Sequence, residues 1–192
     1  MTGILILQGH PDPAGGHLCH ALAEAYAAGA RAAGHRVTLL EVAHLDVPLL
    51  RTQKDFLEAP SPAVLAEARG ALMEAGHVVL FFPLWLGGAP AVLKGFLEQL
   101  LRPGFAFRYV PGGTKMLLKG RSARVVVTMG MPALVFRIWY LGAGLSAVTR
   151  NIFAFVGFRP VRATVLGGVE AAGEERRKDW LRRMEALGRA AR

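Results

Sequence analysis

The stretch from Val78 to Phe96 constrains the fold more than any other part of the sequence. Five consecutive apolar residues, Val78 to Phe82, indicate a strand that is buried on both faces, as in a parallel sheet. Pro83 ends this strand because proline has no N–H group for the ladder, whereas Pro90 suits the first position of a following helix. The pattern predicts a strand–loop–helix unit with residues 84–89 at the carboxyl end of a central strand.

Strands and helices alternate along the whole chain. Further strands are predicted at Gly3–Gln8, Val37–Val42, Arg124–Thr128 and Val161–Leu166. Helices are predicted from Leu18 until Gly34 stops the first, and at Ala63–Ala75, Pro90–Leu101 and Glu174–Arg189, with Ala133–Gly157 helical in pieces. Residues 43–62 are expected to be irregular, residues 104–110 extended and residues 111–120 rich in turns. The alternation predicts an α/β flavodoxin-like three-layer sandwich, with a five-stranded parallel sheet of order 2-1-3-4-5.

Length and composition indicate one domain over residues 1–192 with a sizeable core. A single cysteine, Cys19, excludes a disulfide framework and fits a reducing cytoplasm, where we expect the protein to reside. The first eight residues lack the basic start of a signal peptide. Because Arg137 interrupts the most apolar stretch, Met129 to Val148, no integral membrane segment is expected.

The formal net charge of +9 suggests an anionic partner, such as nucleic acid, a nucleotide cofactor or an acidic membrane surface. Arginines 176, 177, 182 and 183 lie in the last predicted helix, with Trp180 as the only interleaved aromatic residue. This pattern favours a solvated helix face over a nucleic-acid patch. We therefore expect no nucleic-acid partner, while peripheral contact with a membrane stays possible.

In the expected topology, the loops after the first, third and fourth strands meet at one crevice. The first loop, residues 9–16, leads into a helix N-terminus that favours an anion, but it matches neither the Walker nor the GxGxxG pattern. The second presents Trp85 beside two glycines, which suits a planar ligand. The third offers the Thr128 hydroxyl and the N–H groups of Met129 and Gly130. Each loop alone also fits an ordinary strand end, with Trp85 plugging the core.

His17, Cys19 and His20 lie close together in the sequence and raise the question of a metal site. Neither a Cys-x-x-Cys nor a His-Glu-x-x-His pattern accompanies them, so no metal is expected. Solvated histidines at a helix start are the simpler interpretation. Cys19 is expected to be a small buried side chain, because no partner base for a nucleophile is identifiable.

Taken together, the motifs resemble the flavodoxin-like NAD(P)H:quinone oxidoreductase family. The shared motifs are His10-Pro11-Asp12-Pro13, Pro83-Leu84-Trp85 with Gly87-Gly88, Ala89-Pro90-Ala91-Val92-Leu93-Lys94-Gly95, Pro103-Gly104-Phe105-Ala106-Phe107 and Thr128-Met129-Gly130. The resemblance is good over residues 1 to about 130 and looser beyond. It implies an enzyme that passes a hydride from NAD(P)H through a bound flavin, FMN or FAD, to a quinone-like acceptor, and it implies a homodimer.

The resemblance also implies which residues bind the flavin. The phosphates would lie near His10, His17, Leu18 and Cys19; the ring would rest on Pro83, Leu84, Trp85 and Leu86; and Thr128, Met129 and Gly130 would reach its polar edge. The loop from Met131 to Leu141 would complete the pocket wall with Trp85.

The sequence departs from the family pattern at two places. His17-Leu18-Cys19 replace the usual Ser-Phe-Asn in a first loop that is two residues longer. The nearest counterpart of a family tyrosine is Phe136, Tyr140 is of unknown orientation, and no histidine follows His77, so the catalytic residues are unknown. The fold would also allow an electron carrier of the flavodoxin type or an accessory subunit of a membrane protein.

Overall fold

The computed structural model describes residues 1–192 and is built around a parallel five-stranded sheet. The strands are β1 Gly3–Gln8, β2 Arg36–Glu41, β3 His77–Pro83, β4 Phe107–Val110, β5 Gly113–Met116, β6 Ser122–Met129 and β7 Val161–Gly167. The main sheet has the order β2-β1-β3-β6-β7, whereas β4 and β5 form a separate antiparallel hairpin. Without that hairpin the order is the predicted 2-1-3-4-5, so the predicted fold class is confirmed.

Helices cover both faces of the sheet. They are α1 Leu18–Ala32, α2 Gln53–Leu57, α3 Ala66–Glu74, α4 Ala91–Leu100, α5 Ala133–Ile138, α6 Ala143–Ser146 and α7 Glu174–Arg189. Short 3-10 turns at Val42–His44 and Ala63–Leu65 and a π-helical stretch at Ala147–Ala154 complete the list. No helix combines the length and the apolar character needed to cross a membrane.

Strand β3 lies at the centre of the sheet, and residues 77–82 are all buried. Its carboxyl end is level with those of its neighbours, since Gln8 pairs with Phe81 and Pro83 pairs with Thr128. Gly9 donates its N–H to the Phe81 carbonyl at 2.8 Å. The loops after β1, β3 and β6 therefore begin at one edge of the sheet, as the topology requires.

Two apolar cores lie on opposite faces of the sheet. The larger contains side chains of α3, α4 and the helical region after β6, and the smaller lies beneath α1 and α7. Helices α1 and α7 approach at Gly188, where a Cβ atom would lie 2.9 Å from the Ala30 nitrogen. Only glycine fits there, so this contact fixes the spacing of the two helices.

Two connections are more ordered than the sequence predicts. Residues 43–62 contain α2, which begins with a capping box between Thr52 and Asp55. Residues 111–120 contain β5, which pairs with β4 through a turn with Gly112 at φ +81°. Both elements are only four or five residues long and mostly exposed, so they carry little of the hydrophobic periodicity on which the prediction depends.

Residues 133–157 are helical in pieces, as predicted. Helix α5 ends before Gly142, which adopts a left-handed φ of +59° and donates its N–H to the Phe136 carbonyl at 3.1 Å. Helix α6 follows and continues into the π-helical stretch. This break brings α6 back towards the loop that follows β3.

Candidate functional site

The loop after β3 closes into a tight turn. Trp85 and Gly88 exchange two backbone hydrogen bonds, of 3.0 and 2.9 Å, across Leu86 and Gly87. Both central residues have positive φ, +45° at Leu86 and +79° at Gly87. A leucine in this conformation is strained, and its side chain is fully exposed. The turn thus holds an apolar side chain out of the protein at an energetic cost, a feature common at functional sites.

Trp85 belongs to the same turn and does not plug the core. Its side chain is 52% exposed, with its ring edge-on to that of His10 at a centroid distance of 6.2 Å. About half of the ring is therefore covered by the protein and half is open to solvent. An exposed indole beside the first loop leaves an apolar surface at the edge of the sheet.

Three histidines converge in the first loop. His10 and His17 stack with ring centroids 4.0 Å apart and planes inclined by 17°, while His20 lies 5.2 Å from His10. The Asp12 carboxylate lies 2.8 Å from His17 Nε2, and the Asp12 N–H donates to His10 Nδ1 at 3.2 Å. The expectation of solvated helix-start histidines holds for exposed His17 but not for His20, whose Nδ1 is buried without a partner.

The electrostatics of this cluster follow from burial and from mutual repulsion. Burial lowers the pKa of His10 from 6.5 to about 4, and the nearby His17 and His20 lower it further, against a small opposing effect of Asp12. Burial also lowers the pKa of His20. His10 is therefore neutral near pH 7, and an anion bound beside it would favour its protonation.

Helix α1 starts at Leu18, next to this cluster. His17 occupies the capping position, and its side chain caps none of the free N–H groups of the first turn. The Cys19 side chain is buried as expected, and burial raises the pKa of its thiol to about 12, opposed by a hydrogen bond with the Thr128 side chain. Cys19 therefore offers the crevice its backbone N–H rather than a thiolate.

The third loop lies beside an acidic residue that the sequence analysis missed. Met129 and Thr128 are buried, whereas Gly130 is exposed. A Cβ atom on Gly130 would lie 3.1 to 3.2 Å from the Glu170 carboxylate. Glu170 follows β7, the edge strand, whereas the predicted crevice includes only the loops after the first, third and fourth strands. Glu170 follows the carboxyl end of the last strand of the sheet, and this position in the sequence could have indicated that it lies near the crevice.

The residues considered for proton transfer do not form an acid site. Phe136 is buried, Tyr140 is about half exposed, and His77 lies at the opposite end of β3, where its Nδ1 contacts Ser122 Oγ at 2.7 Å. No group of three or more histidine, cysteine, aspartate or glutamate residues is placed to hold a metal ion. The candidate site is thus a surface of backbone groups, imidazoles and one indole.

Two hollows lie away from the three loops. One of about 500 Å³ lies between Pro11, residues 43–49 and the start of α4. The other, of about 220 Å³, is an apolar groove, here called the aromatic groove, whose aromatic lining is Phe56, Phe107, Tyr109 and Phe155. Lys94 and Glu98 form an ion pair at its rim. Both are open concave surfaces, and neither is predictable from the sequence pattern.

The sequence profile of a family described as having a flavodoxin-like fold matches residues 2–187. The chain belongs to this family. Among solved structures, an NAD(P)H:quinone oxidoreductase from Methanothermobacter marburgensis superposes with a TM-score of 0.83 at 21% identity, covering 98% of this chain and 96% of that one. At this identity the likeness concerns the fold alone.

Two curated relatives illustrate the sequence similarity. A protein of Haemophilus influenzae named an uncharacterized NAD(P)H oxidoreductase is 25% identical over 118 residues, which are 61% of this chain and 58% of that protein. An FMN-dependent NADH:quinone oxidoreductase of Ruegeria pomeroyi is 32% identical over 146 residues, covering 66% of this chain and 70% of the relative. The match thus covers less than two thirds of the length of the Haemophilus influenzae protein and slightly more than two thirds of the length of the Ruegeria pomeroyi protein.

Proposed function

We propose that this protein is a flavin-dependent oxidoreductase that passes a hydride from NAD(P)H, by way of a bound flavin, to a quinone or a similar planar acceptor. The observation that carries the proposal is the position of the exposed Trp85–Gly88 turn beside the uncapped N-terminus of α1, at the carboxyl edge of the sheet. Flat apolar surface next to an anion-binding helix end matches a molecule with a planar ring and a phosphate. The names of the curated relatives support the same activity.

The residues of the three loops fit such a group. His10 and His17 and the N–H groups of Leu18 and Cys19 would hold the phosphate, because they combine imidazole donors with the positive end of the α1 dipole. Pro83, Leu84, Trp85 and Leu86 would support the ring. Backbone groups of Thr128, Met129 and Gly130 would meet its polar edge. When bound, the flavin supplies the hydride chemistry, and the protein supplies binding and orientation.

The wall of the pocket would exclude water from the ring. Trp85 and the loop from Met131 to Leu141 present apolar side chains at this edge of the sheet, including exposed Leu134 and Leu141. We assign no protein acid, since Phe136 is buried and has no titratable group. We propose FMN rather than FAD, because the relative from Ruegeria pomeroyi is named FMN-dependent.

We further propose that the protein is cytoplasmic and forms a homodimer. The aromatic groove between α4 and the β4–β5 hairpin is our candidate interface, since it is apolar and its rim carries both signs of charge, Lys94 and Glu98. In a two-fold symmetric dimer, the rim of one copy would contact the same rim of the other, and Lys94 of each copy could pair with Glu98 of its partner. Analytical ultracentrifugation of the parent and of Tyr109→Glu tests this, and an unchanged mass for the variant would remove the groove from consideration.

The experiment that tests the function starts from the purified protein. We expect the absorbance of bound FMN after reconstitution, and steady NAD(P)H oxidation on addition of a soluble quinone without any partner protein. Such turnover would also exclude a pure electron carrier. A protein that binds no flavin under these conditions would overturn the proposal.

A further inference from the structure

A group of unpaired cations lies at the amino edge of the sheet, at the opposite end of the strands from the candidate site. We define the arginine cluster as Arg124 on β6, Arg162 on β7, Arg183 on α7 and Arg192 after α7. Arg124 and Arg162 are register partners on adjacent strands. Both side chains lie on the face covered by α1 and α7, because Val126 and Leu166, at even spacings along the same strands, belong to that core. Like charges opposite each other on one face of a sheet are unfavourable.

Arg124 is the buried member of the arginine cluster. Its side chain is only 7% exposed, and among its guanidinium nitrogens only Nη1 has a hydrogen-bond partner, the Thr164 hydroxyl at 2.7 Å. Its Nε atom is buried without any hydrogen bond. A buried charge in a folded protein is normally paired with an opposite charge, so Arg124 lacks the partner that its burial requires.

A second unpartnered polar atom lies beside Arg124 on the same face. His77 pairs in register with Ser122, which precedes Arg124 by two residues on β6, and His77 Nδ1 contacts the Ser122 hydroxyl at 2.7 Å. His77 Nε2 is buried without a hydrogen bond. The ring of Tyr26 lies 6.5 Å from that of His77, and its hydroxyl donates to the Arg192 carbonyl at 3.3 Å. Unsatisfied buried groups are rare, and two on adjacent strands indicate a bound ion or molecule.

No negative side chain balances the arginine cluster. None of its guanidinium groups forms an ion pair. The α7 carboxylates of Asp179 and Glu185 pair instead with Arg182 and Arg189. Burial lowers the pKa of Arg124, Tyr26 opposes this effect, and the charges of the other cluster arginines lower the pKa further. These arginines are therefore close enough for their positive fields to converge on Arg124.

We propose that the arginine cluster binds a phosphate group, either inorganic phosphate or the phosphate of a nucleotide. Arg124 forms the floor of the site, because its bond to Thr164 fixes the direction of the remaining N–H groups. The exposed side chains of the other three arginines surround the anion from β7 and α7. Guanidinium groups present paired N–H donors that match phosphate oxygens. The site is separate from the N-terminus of α1, which lies at the carboxyl edge of the sheet.

The test is an NMR titration of the flavin-free protein with inorganic phosphate, in chloride at constant ionic strength. The Nε–H signal of Arg124 reports on this site alone and should shift as phosphate is added. The double variant Arg162→Gln/Arg183→Gln should need about tenfold more phosphate for the same shift, because it loses charge-assisted contacts at exposed positions. Adenosine monophosphate is titrated in parallel. Tighter binding than that of phosphate would identify a nucleotide as the source, equal binding would identify free phosphate, and both results support the site.

Two controls separate this site from other attractions for phosphate. Arg36→Gln/Arg182→Gln removes the same charge from exposed residues that pair with carboxylates, and it should titrate as the parent does. His10→Asn alters the opposite edge of the sheet and should also leave the titration unchanged. Equal weakening in the charge control would reduce the binding to an effect of net charge. That result, loss of the shift in His10→Asn, or an Arg124 signal that ignores phosphate would each overturn the proposal.

Discussion

Gly144 packs its backbone against Gly87. A Cβ atom on Gly144 would lie within 2.8 Å of the Gly87 carbonyl carbon and 3.1 Å of the Gly88 Cα, closer than real Cβ contacts come. Helix α6 therefore reaches the turn after β3 only because residue 144 has no side chain. The contact joins the helical region after β6 to the surface on which we place the flavin ring.

Gly144→Ala should force α6 away from this turn. We expect a loss of roughly 1–3 kcal/mol in unfolding free energy, as for other overpacked sites, together with weaker flavin binding. Gly70→Ala is the matched control, because Gly70 lies within α3 with open space around it and alanine should stabilise the helix by roughly 0.5–1 kcal/mol. Urea unfolding and FMN titration measure both effects. A Gly144→Ala protein with parent stability would contradict the close contact.

Trp85→Ala should affect ligand binding more than stability. Trp85 is half exposed, so its truncation should cost roughly 1 kcal/mol or less, whereas Trp180→Ala removes a ring that is only 8% exposed and should cost roughly 3–5 kcal/mol. We expect Trp85→Ala to melt near the parent and to retain FMN poorly. The pair of variants is compared by thermal melting without flavin and by FMN titration. A large drop in melting temperature for Trp85→Ala alone would show that the ring is a packing element.

The sheet was predictable because its signal is local. The runs Val78–Phe82 and Val125–Val127 are buried on both faces of the sheet, and such strands have continuous apolar sequences in any context. The meeting of the three loops then follows from the strand order. Pro83, Thr128 and His10 could thus be placed at one edge from the sequence.

The surface of the site was not predictable in the same way. Trp85 is half exposed in a turn whose next residue, Leu86, has a left-handed backbone, a conformation that leucine disfavours and no propensity indicates. The stacking of His10 on His17 and the approach of Glu170 to Gly130 depend on how separate loops pack. Such tertiary contacts leave no periodic trace in the sequence, so Glu170 and the aromatic groove were missed.

Binding of FMN should be linked to proton uptake at the histidine cluster. In the free protein, burial and then His17 and His20 hold the pKa of His10 at about 4, and a bound phosphate should raise it. At pH values between the pKa of His10 in the free protein and its higher pKa in the complex, binding of the phosphate is accompanied by proton uptake. The affinity for FMN should therefore increase as the pH is lowered through this range.

Calorimetry in two buffers of different protonation enthalpy measures that uptake. Riboflavin, which lacks the phosphate, is the ligand control and should show none of it, and His10→Asn should reduce it for FMN. His44→Asn changes an exposed histidine after β2 and should behave as the parent. Equal proton uptake by the parent and by His10→Asn would show that His10 is not the group that is protonated when the phosphate binds.

His77 should make the fold sensitive to acid. Its imidazole is buried at the start of β3, Nε2 has no hydrogen-bond partner, and burial, then Arg124 and Arg162, lower its pKa from 6.5 to about 4. The unfolded chain therefore binds a proton more readily than the folded one. Stability from the neutral imidazole is complete above about pH 6.5 and is lost as pH falls towards 4, by up to roughly 3 kcal/mol.

In urea unfolding across this window, His77→Asn should lose less stability on acidification than the parent, whatever its stability at neutral pH. If the unfolding free energies of the parent and of His77→Asn changed equally with pH, the pKa of His77 would be the same in the folded and unfolded states.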